Sequence, residues 1–66
     1  MKRKYELIEV LNAMFERCEN AHDGEYYRRA FNNGRDVEDF FIEYCFGVKG
    51  ISSKVIGNVL LVWYTE

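Results

Sequence analysis

Apolar side chains recur at intervals of three and four residues over the first third of the chain. This spacing is typical of one face of an amphipathic helix, and it predicts a helix over residues 4–22. Asp23 and Gly24 follow this segment, and glycine readily adopts the left-handed conformation that ends helices. The apolar stripe of the predicted helix consists of Leu7, Ile8, Leu11, Met14, Phe15, Cys18 and Ala21.

The middle of the chain predicts two shorter helices. Over residues 25–33, Tyr27 and Phe31 would share a helical face, whereas a strand would separate the polar from the apolar side chains poorly. A short helix is therefore the favoured interpretation of this segment. Asp36 is suited to cap a further helix over residues 37–46, because its side chain can accept hydrogen bonds from the first turn. The apolar face of this helix holds Val37, Phe40, Phe41, Tyr44 and Cys45, and Gly47 and Gly50 end it.

The C-terminal segment, residues 51–66, has the composition of β-strands. Valine, isoleucine, tryptophan and tyrosine are frequent in it, and these residue types favour strands. Gly57 and Asn58 would form a two-residue type II′ turn between strands over residues 52–56 and 59–64. The composition alone thus predicts a β-hairpin.

The spacing of the same segment favours a helix instead. Its apolar positions follow a helical period and lack the alternation of a half-buried hairpin. Ser52 or Ser53 would cap such a helix. We therefore expect a mainly α domain of three to four short helices, with an α+β domain that carries a C-terminal β-hairpin around Gly57 and Asn58 as the alternative.

A chain of 66 residues has room for a single domain. An apolar content of 48% and an aromatic content of 17% exclude a disordered chain. A domain this small buries only about 60% of its unfolded surface, so its eleven aromatic residues exceed what the core can hold. The predicted core consists of Leu7, Leu11, Phe15, Phe40, Phe41, Val55, Val59 and Trp63, and part of the set Tyr26, Tyr27, Phe46, Trp63 and Tyr64 is expected to stay exposed.

The location is expected to be the cytosol. Glu6 and Glu9 interrupt any apolar core of a signal peptide, and the longest apolar run, Val59–Tyr64, is far shorter than the ~20 residues that span a bilayer. The chain has two cysteines, Cys18 and Cys45. Without a secretory signal we expect both to be reduced thiols.

The charged residues fall into two candidate surfaces. The acidic residues of the predicted first helix form either a solvated face or a docking face for a basic partner; they are Glu6, Glu9, Glu16, Glu19 and Asp23. Arg28, Arg29 and Arg35 lie beside Tyr26 and Tyr27 in the sequence. Arginine interleaved with tyrosine is typical of protein interfaces and of surfaces that bind single-stranded nucleic acid.

Candidate catalytic and metal-binding groups are few. His22 is the one histidine, and its place at the end of the predicted first helix suits a capping role. Cys18, His22 and Cys45 would supply only three ligands, whereas structural zinc sites take four. A phosphate-binding glycine loop is missing from the sequence. We therefore expect no enzymatic activity, no cofactor and no metal.

Residues 50–60, GISSKVIGNVL, resemble the turn and recognition helix of bacterial helix-turn-helix regulators. In that family the aliphatic side chains pack on the preceding helix, and the serine cap and the exposed positions face the DNA major groove. The resemblance implies a small DNA-binding regulator whose groove-facing residues are Ser52, Ser53, Lys54, Gly57 and Asn58.

The function expected first is that of a non-enzymatic protein–protein interaction module. In size, acidity and aromatic content the chain is similar in general character to phage or mobile-element proteins that inhibit or modulate a host protein. We expect a larger host protein as partner, self-association into a dimer as a further option, and nucleic acid only under the helix-turn-helix alternative. The predicted partner-binding residues are Tyr26, Tyr27, Arg28, Arg29, Arg35, Trp63 and Tyr64.

Overall fold

Helices and strands are mixed along the chain and form two layers. The structure is a computed structural model and describes residues 4–18 and 25–64. The strands pair into one four-stranded antiparallel sheet of order β1-β2-β4-β3. In chain order the elements are α1 (Lys4–Met14), β1 (Glu16–Cys18), β2 (Glu25–Ala30), α2 (Gly34–Phe40), a π-helical turn directly after it (Phe41–Cys45), β3 (Ile51–Ile56) and β4 (Val59–Tyr64).

The prediction of a mainly α domain is wrong, because the C-terminal segment forms the β-hairpin that was held as the alternative. Gly57 has φ +62°, and no described non-glycine residue has a positive φ, which is the sign pattern of a type II′ turn. Along β4, Leu60, Val62 and Tyr64 are buried and the positions between them are only partly buried. The alternation therefore exists in burial, but both faces of β4 are apolar, so the sequence conceals it.

The short helix predicted over residues 25–33 is also wrong, since this segment forms β2. Its Tyr26 and Tyr27 point to opposite faces of the sheet, and β4 supplies the partner strand along its whole length. The first helix begins as predicted but ends at Met14, and β1 follows at once. Periodicity could not show this end, because it depends on pairing between β1 and β2.

The helix predicted over residues 37–46 is confirmed in its position, with a different cap. It begins at Gly34 rather than Val37, and its N-cap is Asn33, whose Oδ1 accepts a hydrogen bond from the Asp36 backbone N–H at 2.9 Å. After Phe40 the helix widens into the π-helical turn, where the Phe46 N–H donates to the Phe41 carbonyl at 2.9 Å. Gly47, with φ +80°, ends it.

The core lies between the helices and one face of the sheet. Phe40 is at its centre, with ring-centroid distances of 5.3 Å to Phe15, 5.5 Å to Phe31 and 4.6 Å to Tyr44. The buried apolar residues are Leu7, Leu11, Phe15, Tyr27, Val37, Phe40, Cys45, Val48, Leu60, Val62 and Tyr64.

The predicted core is half correct. Leu7, Leu11, Phe15 and Phe40 are buried as predicted. Three of the remaining predictions fail because a helical C-terminus would have turned those side chains inward: Val55 is 47% exposed, and Val59 and Trp63 are only partly buried. Phe41, in the π-helical turn, is also only partly buried.

Candidate binding surface on the open face of the sheet

One face of the sheet is covered by α1 and α2, and the other is left open by every element of the described chain. Antiparallel partners that oppose one another carry their side chains on the same face. The strand register therefore defines this second surface, which we call the open face. Its residues are Glu16 and Cys18 of β1, Tyr26, Arg28 and Ala30 of β2, Val59, Leu61 and Trp63 of β4, and Ser52, Lys54 and Ile56 of β3.

A stacked aromatic pair stands on the open face. Tyr26 and Trp63 are partners in the β2–β4 register. Their rings are nearly parallel, with an interplanar angle of 10° and a centroid distance of 5.9 Å. Both side chains are partly exposed. The pair therefore offers aromatic surface to a partner while it supports itself across the two strands.

A cavity of about 320 Å³ adjoins Trp63, at the end of the hairpin away from its turn. Ser52 is the β3 partner of Trp63, and both residues line this cavity. Lys4 lies at the same end of the sheet, with its Nζ 5.3 Å from the centroid of the Tyr64 ring. We call this cavity the Trp63 slot; it is lined by Gly50, Ile51, Ser52, Trp63 and Tyr64.

Two cations flank the centre of the open face. Arg28 of β2 and Lys54 of β3 both oppose Leu61 of β4, so one lies on each side of this leucine. Glu16 opposes Arg28 from β1. It is the one acidic residue among the open-face residues whose side chains the structure describes. The acidic residues of the second helix and its π-helical turn belong to the opposite layer; they are Asp36, Glu38, Asp39 and Glu43.

The structure divides the predicted partner-binding residues between the two sides of the sheet. Tyr26, Arg28 and Trp63 lie together on the open face. Tyr27 and Tyr64 instead stack on each other at 6.2 Å within the core. Their burial removes both rings from any contact surface, because period-two alternation sends neighbouring residues to opposite faces.

Tyr27 and the two remaining predicted partner-binding residues, Arg29 and Arg35, also lie away from the open face. Tyr27 is 1% exposed, and its hydroxyl donates a hydrogen bond to Asn12 Oδ1 at 2.7 Å. The Arg29 guanidinium lies 4.8 Å from the centroid of the Phe31 ring, on the side of the helices. Arg35 belongs to the first turn of α2. The basic patch that the sequence suggested is therefore split among three places.

The predicted acidic docking face is not a single helical face either. Glu6 and Glu9 are exposed on α1. Glu16 belongs to β1 and lies on the open face. Glu19 and Asp23 lie outside the described residues.

Residues 50–60 form the hairpin rather than a turn followed by a recognition helix. Of the residues that the helix-turn-helix resemblance assigns to DNA, Ser52 and Lys54 lie on the open face and Ser53 lies on the opposite one. Asn58, next to Gly57 in the turn, donates a side-chain hydrogen bond to the Phe31 carbonyl. The prediction that these residues lie on a recognition helix is therefore wrong.

The two cysteines have different environments. Cys45 is the last residue of the π-helical turn and is buried, and burial raises the pKa of its thiol to about 11. Cys18 is partly exposed on the open face. Both are free thiols. The third residue of the cysteine–histidine set, His22, lies outside the described residues, and among the described ones no cluster of three metal-ligating side chains occurs.

Exposed apolar side chains also occur away from the open face. Phe46 is 70% exposed and Ile42 is 58% exposed. The Phe46 ring meets the Phe41 ring edge to face at 6.4 Å. We call these three residues the π-turn patch. The exposure of Phe46 confirms that the core cannot hold every aromatic ring.

Sequence interpretation missed Leu61, Ile56 and the Trp63 slot. All three depend on the hairpin, which places Ser52 beside Trp63 and Lys54 beside Leu61. The signal that the sequence did offer was the run Val59–Tyr64, in which all six residues are apolar. Such a run is typical of a strand that is apolar on both faces.

The fold and this surface together define a small α+β domain with helices on one side of an antiparallel sheet and an open face on the other. No protein-family model, curated protein or solved structure matches this chain. Within the described ranges, neither helix is long and apolar enough to cross a membrane.

Proposed function

We propose that this protein is a non-enzymatic binding module that acts by placing its open face against a larger macromolecule. The observation that carries the proposal is the outward row of β4, Val59, Leu61 and Trp63, which stays partly exposed although it lies on the central strand pair of the sheet. A contiguous apolar surface with a charged border is typical of an interaction site.

The composition of the open face supports this role. Tyrosine, tryptophan and arginine contribute most of the binding energy in measured interfaces, and Tyr26, Trp63 and Arg28 lie on adjacent strands here. Their positions on a hydrogen-bonded sheet keep their backbones fixed, so little conformational entropy is lost when a partner binds.

An inhibitor or modulator of a host macromolecule is the role that we propose for such a module. The described residues present the open face as a ready contact surface on one sheet. We place its action in the cytosol, because Cys18 and Cys45 are free thiols and reduced cysteines persist in that compartment.

Site-specific photo-crosslinking in the cells that make this protein tests the proposal. The photoreactive residue p-benzoylphenylalanine replaces Leu61 at the centre of the open face in one variant. In the matched variant it replaces Ile42 of the π-turn patch, which is also aliphatic and is more exposed. We expect a covalent adduct of defined size from position 61 and none from position 42.

Adducts at position 42 with none at position 61 would move the contact surface to the π-turn patch and refute the proposal. Absence of adducts at both positions would refute it as well. Digestion of the adduct with protease or with nuclease then identifies the chemical class of the partner. Circular dichroism of both variants confirms that each remains folded.

A further inference from the structure

We propose that the macromolecule on the open face is a single-stranded nucleic acid, with one base inserted in the Trp63 slot. This inference rests on the proposed function and names its partner. Four-stranded sheets whose surface aromatic residues stack on unpaired bases are a common means of binding single strands. The aromatic pair, the slot and the two cations of the open face supply the three parts of such a site.

Trp63 lines the slot, so a flat ring bound there would contact its indole. One face of the Trp63 indole is covered by Tyr26, at a centroid distance of 5.9 Å. On its other side Trp63 is opposed by Ser52, and both residues line the cavity of about 320 Å³, which extends to Ile51 and Tyr64 at the end of the hairpin. A planar ring inserted there continues the stack that Tyr26 and Trp63 begin. Stacking of this kind favours nucleobases of any sequence, because every base has a π-face.

The charges near the slot match a phosphate backbone. Lys54 follows Ser52 by two residues on the same face of β3, a separation of about 7 Å along a strand. Arg28 lies across β4 from Lys54, because both oppose Leu61. A strand that runs from the slot across Leu61 therefore passes two cations. Glu16 opposes Arg28 from β1 and is the one acidic residue among the described residues of the open face. Asp36 and Glu38 belong to the helical layer behind the sheet, so the two cations outnumber the acidic residues on the open face although the net charge of the chain is −2.

The size of the open face favours a thin ligand over a second copy of this protein. Three strands of six residues and one of three cover roughly 330 Å² in projection. A stable protein–protein interface buries about 800 Å² on each partner. A dimer made face to face would also bring Arg28 and Lys54 of one copy close to those of the other. A single strand of nucleic acid needs only a narrow track with aromatic and cationic side chains.

Unpaired bases fit this surface better than a duplex does. Readout of duplex DNA by a helix-turn-helix needs a recognition helix in the major groove, and residues 50–60 form the hairpin instead. The bases of a duplex are also stacked on each other, so they cannot enter the Trp63 slot without being extruded at an energetic cost.

Fluorescence of Trp63, the one tryptophan of the chain, reports directly on the slot. The probes are octathymidylate and octauridylate, which are titrated into the full-length protein at low salt. We expect quenching of the Trp63 emission. A parallel rise in the anisotropy of the fluorescein-labelled oligonucleotide gives the dissociation constant.

Ser52→Tyr tests the slot itself. A tyrosine at this position fills the cavity beside the Trp63 indole and suits the edge strand, because aromatic residues favour β-strands. Loss of one stacked base weakens binding about 5- to 140-fold. Ser52→Ala is the matched control, because it keeps the slot open and should bind like the wild type. Thermal unfolding monitored by circular dichroism verifies the fold of both variants.

Arg28→Gln tests the phosphate contacts without relying on the slot. For single strands the logarithm of affinity falls with the logarithm of salt concentration by about 0.7 for each phosphate contact. Contacts from Arg28 and Lys54 predict a slope of about −1.4, and loss of Arg28 predicts about −0.7. Arg35→Gln, the same substitution in the helical layer, should leave the slope at its wild-type value.

Three results would each overturn the inference. The first is no quenching and no anisotropy change at protein concentrations up to about 1 mM, well above the usual range for non-specific binding. The second is binding of uridine monophosphate or of duplex DNA as tightly as of octauridylate. The third is equal effects of Arg28→Gln and Arg35→Gln. If the Leu61 crosslink yields a protease-sensitive adduct while oligonucleotides fail to bind, the nucleic-acid inference falls and the binding-module proposal stands.

Discussion

In this domain, the side of the sheet on which a residue lies decides which groups its side chain can contact. Arg28 and Arg29 are neighbours in the chain, yet one lies on the open face and the other packs against Phe31 on the side of the helices. The same division separates Tyr26 from Tyr27. Similar residues that follow one another in a strand therefore lie on two faces of the sheet, and only those on one face can contact a given partner.

The two thiols give a prediction at this scale. Because burial raises the pKa of Cys45 to about 11, its thiolate is scarce at pH 8, and the thiolate is the reactive form. We expect iodoacetamide to label Cys18 in the folded protein and to label Cys45 only after unfolding. Mass spectrometry of peptides after labelling with and without urea measures both reactions.

The same pKa sets the sign of a stability change with pH. Folding raises the thiol pKa from 9.0 to about 11, so the folded state retains a proton that the unfolded state loses. The stabilisation is complete below pH 9 and is lost as the pH rises toward 11. Cys45→Ala should flatten this part of the curve. An equal alkaline loss of melting temperature in both proteins would contradict the assignment.

At the scale of elements, the hairpin needs a glycine at one position, whereas the second helix tolerates another residue in place of its glycine. Gly57 has φ +62° in the β3–β4 turn, where a Cβ is disfavoured. Gly34 opens α2, and a Cβ placed there would meet no atom within 4 Å. Substitution at Gly57 therefore measures backbone strain, and substitution at Gly34 measures helix propensity.

Alanine at these two glycines should change stability in opposite directions. Gly57→Ala is expected to lower the free energy of unfolding by about 1 kcal/mol or more, because alanine is strained at positive φ. Gly34→Ala should raise it by about 0.4–1 kcal/mol, because alanine restricts the unfolded chain and favours the helix. Urea denaturation measures both values. A destabilised Gly34→Ala protein would show that α2 does not begin where the structure places it.

Elements with local signals could be predicted, and elements that depend on distant partners could not. The α2 segment was found because its apolar period and glycine stop lie within the segment itself. Its cap was misassigned by three residues, since Asn33 and Asp36 are both good N-caps. β1 and β2 were missed because their hydrogen-bond partners lie elsewhere in the chain: β2 pairs with β4, and Ala30 is the partner of Val59 and Glu25 that of Tyr64.

At the scale of the whole molecule, stability depends on one shared core between the layers. Leu11 of α1 and Leu60 of β4 are both 0% exposed. The helices therefore shield the sheet from water, and the sheet shields the helices. A domain below about 70–80 residues rarely gains more than 3–5 kcal/mol from its core. Helices and sheet are therefore expected to unfold together.

Leu60→Ala should abolish most of the folded population. Removing a buried leucine costs about 2–5 kcal/mol, which is comparable to the whole stability of such a domain. Val55→Ala, at a position that is 47% exposed on the adjacent strand, should cost only about 0.5 kcal/mol. Far-UV circular dichroism and Trp63 fluorescence during urea unfolding compare the two. Separate transitions for the two signals would show that the layers are not one cooperative unit.

The amino-acid sequence determined the start of α1, the position of α2, and an aromatic content that the core cannot hold. These features follow from local periodicity and from the ratio of surface to volume. Only the tertiary structure decided that residues 25–30 and 51–64 are strands and that Tyr26, Arg28, Lys54 and Trp63 meet on one face. The reason is physical: the order and register of a sheet are set by hydrogen bonds between distant segments, and both faces of β4 are apolar, so no local pattern could show which face the helices cover.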